Sequence, residues 1–128
     1  LDTYNMNYVL VDDDDDDRLL IGRALRHVAQ PLPVLEFQDG QAFLDHLPEL
    51  APRRAGGATY WIILMDVHMP VLDGYETVAL LRQHPHARHL PVLMVSGTSD
   101  AEFDQKTRNC GANACIRKPV TEHEYVAR

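Results

Sequence analysis

Trp61-Ile62-Ile63-Leu64-Met65-Asp66-Val67-His68-Met69-Pro70 is the stretch that decides the fold. Five apolar residues, two of them β-branched, end at one carboxylate, and a turn signal follows. That pattern predicts a strand buried on both faces that delivers a single acid at its C-terminal tip. The design recurs along the chain. Tyr8-Val9-Leu10-Val11 leads to Asp12 and Asp13, Pro91-Val92-Leu93-Met94-Val95 to Ser96, and Ala114-Cys115-Ile116-Arg117 to Lys118. In an open parallel sheet such tips converge on one crevice, where ligands bind.

Between these strands the chain carries helical signals. Helix one is expected from about Asp15 to Ala29, with Leu20, Ala24 and Val28 on one face and Leu25 beside them. Its first turn is acidic, which suits the positive end of a helix, and Asp14 to Asp17 read as a solvated helix start. Pro31 and Pro33 stop it. Val34 to Phe37 is a short second strand, Asp39-Gly40 turns into helix two over about 41–48, and residues 49–59 form a loop rich in Pro and Gly. Strand three covers 61–65. Helix three begins near Asp73, with Glu76 three residues on, and ends before Pro85. Strand four is 91–95. Ser99 with Glu102 predicts a capping box for helix four, which Gly111 closes. Strand five is about 113–117, and Thr121 with Glu124 opens helix five. The order is (βα)₅, which calls for an α/β fold, a doubly wound parallel sheet with helices on both faces.

Composition bounds the rest. A chain of 128 residues with 45% hydrophobic residues is one domain able to bury its own core. Residues 1–7 read as a polar tail and 8–128 as the domain. The chain starts at Leu1 and stops at Arg128 soon after its last helix begins, so it reads as an excised segment with that helix cut short. The longest apolar run, Tyr60 to Met65, is too short to span a bilayer, and the N-terminus carries no signal-peptide pattern. The net charge is −7, and Asp12 to Asp17 alone carry six negative charges. Only Arg53-Arg54 is a basic pair, so no direct nucleic-acid footprint is expected. Cys110 and Cys115 have neither zinc nor redox spacing, and buried free thiols in a reducing cytoplasm are the expected state.

The tips define a chemistry. Asp12, Asp13 and Asp66 are expected within a few ångströms, and bare carboxylates repel unless one holds a proton or a cation enters. A hard divalent ion removes the conflict, and Mg²⁺ suits a shell of half protein and half water. Lys118 and Ser96, beyond Asp66, suit a tetrahedral dianion, which is the clamp phosphoryl transfer needs. Asp66, in the middle, is the candidate nucleophile. An EF-hand is excluded, because counting from Asp12 or Asp13 puts no glycine at the sixth place and no glutamate at the twelfth. His84, His86 and His89 lie close together in a Pro-containing loop and read as solvated, and Arg82 and Arg88 read as surface charges. Phe37 and Tyr75 read as packing residues, and Trp61 as the flank of a core strand.

With these residues in place, residues 7 to 128 resemble the receiver domain of bacterial two-component response regulators. The motifs are Val-Asp-Asp after strand one, Met-Asp-x-x-Met-Pro-x-x-Asp-Gly at 65–74, Ser96-Gly97, and Lys118-Pro119. The spacings from Asp66 to Ser96 and from Ser96 to Lys118 match the family's chemotaxis members. Thr98-Ser99 with Asp104, and Gly111-Ala112-Asn113, are faintly similar to single-domain regulators paired with phytochromes. The resemblance implies a flavodoxin-like sheet of strand order 2-1-3-4-5. It implies that Asp66 accepts phosphate from a kinase phosphohistidine, and that Asp13 and Asp66 bind Mg²⁺ directly with the backbone carbonyl of His68, Asp12 mainly through water. Mn²⁺ is a substitute ion. Ser96 and Lys118 would bind the phosphoryl oxygens, and His68 and Thr98 would flank the attacking water. A cis peptide before Pro119 is usual in the family. The switch pairs Ser96 with a residue three before the lysine, usually Tyr or Phe and here Cys115.

The implied partners are a sensor histidine kinase or phosphotransfer protein and a downstream effector on the surface of helix four, strand five and helix five. The setting is the cytoplasm, with no membrane, and a homodimer stays open. Such a domain catalyses only its own phosphorylation and dephosphorylation. Two other functions compete. A phosphatase using an aspartyl-phosphate, of the haloacid-dehalogenase kind, wants a second acid where His68 stands, and a cap domain. A degenerate receiver would serve as a phosphorylation-independent interaction module, an idea that the missing aromatic ring keeps open.

Overall fold

The computed structural model describes residues 5–28, 34–47, 59–85, 87–97 and 101–118. The elements are β1 (Asn5–Val11), α1 (Asp15–Val28), β2 (Val34–Phe37), α2 (Gly40–Asp45), β3 (Thr59–Asp66), α3 (Gly74–Leu81), β4 (Val92–Ser96), α4 (Phe103–Cys110) and β5 (Ala114–Arg117). The expected helix five, Thr98, Ser99, His86, Pro119 and the loop up to residue 58 lie outside the described residues.

The strands form one parallel sheet of order β2-β1-β3-β4-β5, the doubly wound flavodoxin-like order expected. Alternation along each central strand builds a core on both faces. Val9, Val11, Ile63, Met65, Val92 and Met94 point to one side, where Phe43, Val78, Leu81 and Phe103 from α2, α3 and α4 cover them. Leu10, Leu64 and Val95 point to the other, under Ile21 of α1. Each fully buried aliphatic side chain contributes roughly 1.5–3 kcal/mol, so the register of β3 is held from two sides at once. Phe37, Trp61 and Tyr75 pack against the first core, as expected.

Several boundaries shift for local reasons. β1 begins at Asn5, inside the expected tail, because Asn5, Met6 and Asn7 pair with Thr59, Tyr60 and Trp61. The apolar stripe of α1 is centred on Ile21, Ala24 and Leu25, with Leu20 only half-buried. β4 starts at Val92, while Pro91, which has no N–H, contributes its carbonyl to Ile63 N at 3.0 Å. α3 carries the Asp73–Glu76 capping box, with bonds of 2.8 and 3.0 Å. The box expected at Ser99–Glu102 rests on Ser99, outside the described residues. Glu102 precedes α4 as its N-cap, and its carboxylate pairs with Lys106 one turn on, at 3.1 Å. Gly111 ends α4 in the left-handed conformation at φ 94, as a glycine there allows.

Arg82 is half-buried and does more than carry a surface charge. Its guanidinium donates to the carbonyls of Gly111 (2.8 Å), Arg88 (2.7 Å) and Leu90 (2.7 Å) and to Asn113 Oδ1 (3.0 Å). The same Asn113 oxygen accepts from Val92 N at 2.8 Å. One planar fork thus ties the end of α3, the following loop, the end of α4 and the entry to β5. Arg82→Ala is expected to lower the unfolding free energy by about 2 kcal/mol, because several carbonyls lose a charged donor together. Arg82→Lys should recover less than half of that, since a single ammonium cannot span the fork. Urea unfolding of the three proteins measures it, and a lysine variant as stable as the parent would contradict the role.

Candidate functional site

The strand tips converge as the sequence expects. Asp66 ends β3, Asp12 and Asp13 follow β1, Ser96 ends β4 and Lys118 follows β5. Backbone bonds fix these tips: Asp12 N to Phe37 O (3.0 Å), Val67 N to Val95 O (3.0 Å) and Lys118 N to Ser96 O (2.6 Å). Asp12, Asp66 and Ser96 are buried, and Asp13 is exposed. Behind Asp66 the chain turns tightly into α3. A Cβ at Gly74 would stand 2.3 Å from the Asp66 carbonyl oxygen, so only glycine lets α3 start that close to the strand tip. Val71, in the same turn, sits at φ 68 and is 97% exposed, a costly backbone state for a β-branched residue. His68 is exposed at the mouth of this loop.

Carboxylate oxygens of Asp12, Asp13 and Asp66 all lie within 4.8 Å of one another. Among the described residues this is the group able to hold a metal ion; His84 and His89 join no such group. Burial pushes Asp66 up to about 7, with repulsion from Asp12 and Asp13 adding to it and Lys118 opposing it. Burial likewise raises Asp12, against a hydrogen bond from Asp14 N at 2.9 Å. These acids are short of positive charge. An all-oxygen donor set with that deficit fits a hard divalent cation.

Lys118 supplies part of the missing charge. Its Nζ lies 3.0 Å from Asp12 Oδ2, 3.0 Å from Asp66 Oδ1 and 2.7 Å from Asp17 Oδ2. Burial alone would lower the ammonium, but hydrogen bonds to Asp17, Asp66 and Asp12 outweigh it and hold Lys118 well above its ordinary range. Here the acidic run departs from its expected role as a solvated helix start. Asp14 caps α1, accepting from Asp16 N (2.8 Å) and Asp17 N (3.0 Å), and Asp17 reaches Lys118. Arg18 donates to the Asp12 carbonyl and pairs with Asp15 and with Glu36, the latter at 3.4 Å. Sequence reading missed Asp17 and Arg18. Their partners Lys118 and Glu36 lie far along the chain, so no local pattern marked them.

The expected switch pair is split in kind. Ser96 is buried at the site. Cys115 is half-buried on β5, and its thiol donates to Asp104 Oδ1 on α4 at 3.0 Å. Cys110 is also half-buried, not fully buried as expected, and bonds Thr107 O at 3.2 Å. Burial raises both thiols, so neither is a ready nucleophile.

Residues 9–128 match the response regulator receiver domain family. A hybrid signal transduction histidine kinase E from Dictyostelium discoideum is 31% identical over 92% of this chain, which corresponds to 7% of that protein. The chain spans at most 30% of the length of the first curated relatives it matches. A response regulator receiver domain from Rhodospirillum rubrum superposes with a TM-score of 0.79 at 27% identity, covering 94% of this chain and 85% of that one. The bacteriophytochrome response regulator RtBRR superposes with a TM-score of 0.73 at 28% identity, covering 96% and 75%. Among the described residues no helix is long and apolar enough to cross a membrane.

The raised Asp66 carboxyl has a stability consequence in the absence of metal. The folded protein holds this proton more tightly than the unfolded chain, whose carboxyl titrates near 3.8. The stabilisation is complete below that value and is lost as pH rises through about 7. Asp66→Asn keeps the shape without the charge and leaves Lys118 its bonds to Asp12 and Asp17. In EDTA the variant should exceed the parent in stability at pH 8 by on the order of 2 kcal/mol, with the gain shrinking toward pH 5. Urea unfolding across that range tests it, and a difference independent of pH would refute it.

Proposed function

The chain belongs to the response regulator receiver domain family of two-component signalling, and from that membership we propose that it is a phosphoacceptor module phosphorylated on Asp66. The carrying observation is the Asp66 carboxylate at the buried tip of β3, grouped with those of Asp12 and Asp13 and 3.0 Å from Lys118 Nζ. In the proposed step an Asp66 oxygen attacks the phosphorus of a kinase or phosphotransfer-protein phosphohistidine. The P–O bond forms as the P–N bond breaks, and its electron pair returns to the imidazole ring. Lys118 and the Ser96 hydroxyl bind phosphoryl oxygens and hold the developing charge. Asp12, Asp13 and Asp66, with the backbone carbonyl of His68, would hold Mg²⁺, or Mn²⁺ in its place, which neutralises charge when bound. Hydrolysis by water attack on phosphorus returns free Asp66, with His68 and Thr98 flanking the water path. The domain acts on no other substrate.

Acetyl phosphate with Mg²⁺ should give one labile adduct by mass spectrometry. Asp66→Asn should abolish it, and excess EDTA should reduce it at least tenfold, because three carboxylates otherwise repel the incoming dianion. Labelling of the Asn variant would sink the assignment.

The output is proposed to leave through α4, β5 and helix five toward an effector. Cys115 has no ring to follow the movement of Ser96, so the shift falls to the segment after Ser96 and to α4, whose side chains are mostly exposed. The Asp104–Cys115 hydrogen bond is a direct side-chain link between α4 and β5. Amide exchange with and without beryllofluoride should change over residues 97–105, while the Cys115 rotamer stays put in the corresponding crystal structures. A change confined to α1 would refute this route. Cys115 also favours a second reading, a degenerate receiver that binds its partner without phosphorylation. Equal effector affinity with and without the adduct would select that one.

A further inference from the structure

Lys118 presents three N–H donors, and three carboxylates take them: Asp12, Asp66 and Asp17. Two of those acids belong to the group that can hold a cation, and the third does not. A divalent ion entering among Asp12, Asp13 and Asp66 therefore competes with the ammonium for the same oxygens. If the ammonium had no other anion in reach, it would stay half-buried beside a dication, an arrangement with a large repulsion. Asp17 removes that conflict. Its contact with Nζ is the shortest of the three at 2.7 Å, and it joins residues 101 positions apart. Its backbone is fixed in the first turn of α1 by the Asp14 cap at 3.0 Å. Its carboxylate is 33% exposed, so water can complete the lysine's shell there.

We propose that Asp17 is the alternate seat of the Lys118 ammonium, and that it sets how readily the acceptor site takes a divalent cation. The inference rests on the acceptor-site reading above and deepens it. With Asp17 in place the lysine yields Asp12 and Asp66 to the ion and keeps a charged partner. Without it the lysine holds on to those two acids and the ion binds less well. Asp17 is a positioning residue, acting on the site through Lys118.

The test is calorimetric titration of the apo protein with Mn²⁺ as the probe. Asp17→Asn removes the charge and should weaken Mn²⁺ binding about fivefold, close to 1 kcal/mol. That direction runs through the lysine, and general loss of negative charge is controlled by Asp16→Asn. Asp16 carries the same charge on the same turn and is exposed, so its variant should stay within about twofold of the parent. Asp17→Glu should also stay within about twofold, since it restores the carboxylate. Asp17→Ser is a second uncharged variant, and circular dichroism melts establish that each protein is folded. Equal affinities for the parent and both uncharged Asp17 variants would overturn the inference while leaving the acceptor reading intact, as would an equal loss in Asp16→Asn. A parent protein that binds no Mn²⁺ would overturn the acceptor reading itself.

Discussion

The ammonium of Lys118 among buried carboxylates is the interaction on which the site depends. Burial drives both Asp12 and Asp66 up, with Asp17 adding to it at Asp12 and Asp12 and Asp13 adding to it at Asp66, and a crevice built only of acids would resist being closed. Lys118 makes the arrangement tolerable because it meets both at 3.0 Å and borrows Asp17 at 2.7 Å. Its own backbone N–H is bonded to the Ser96 carbonyl, so the charge is delivered by the end of a strand and not by a mobile loop. Breaking a buried pair of this kind leaves an uncompensated charge, which costs far more than the pair contributes.

That placement is a consequence of the sheet. Parallel strands put all their C-terminal tips on one edge, and the two cores hold β1, β3 and β4 in a register that cannot slip without moving each side chain from its packing on one face into the other core. The polar edge and the opposite edge are stabilised differently. At the site, Gly74 lets α3 begin against the Asp66 carbonyl. At the far edge, the Arg82 fork gathers the loop carbonyls that the strands leave behind. Backbone strain lies near the chemistry, at Val71.

Much of this was legible from pattern. Buried parallel strands read as continuous apolar runs, and each run here ends at a polar residue that the structure places in one crevice: Asp12, Asp66, Ser96 and Lys118. The capping box at Asp73–Glu76 and the stop at Gly111 were legible because both act within one helical turn. The phase of α1 was misplaced by a residue, since a stripe containing Leu19, Leu20, Ile21, Ala24 and Leu25 admits more than one face and only the sheet beneath selects Ile21.

Local sequence determined the element types, the parallel class and the set of groups that end the strands, because these follow from periodicity and from the punctuation around each run. Tertiary structure alone decided which of those groups share a charge. Asp17 reads as one more acid in a solvated run until folding brings Lys118 to it, and Arg82 reads as a surface cation until α3, α4 and β5 place their carbonyls around it. Electrostatic partners are chosen by distance through space, and Lys118 and Asp17 are 101 residues apart along the chain. No window of sequence holds both.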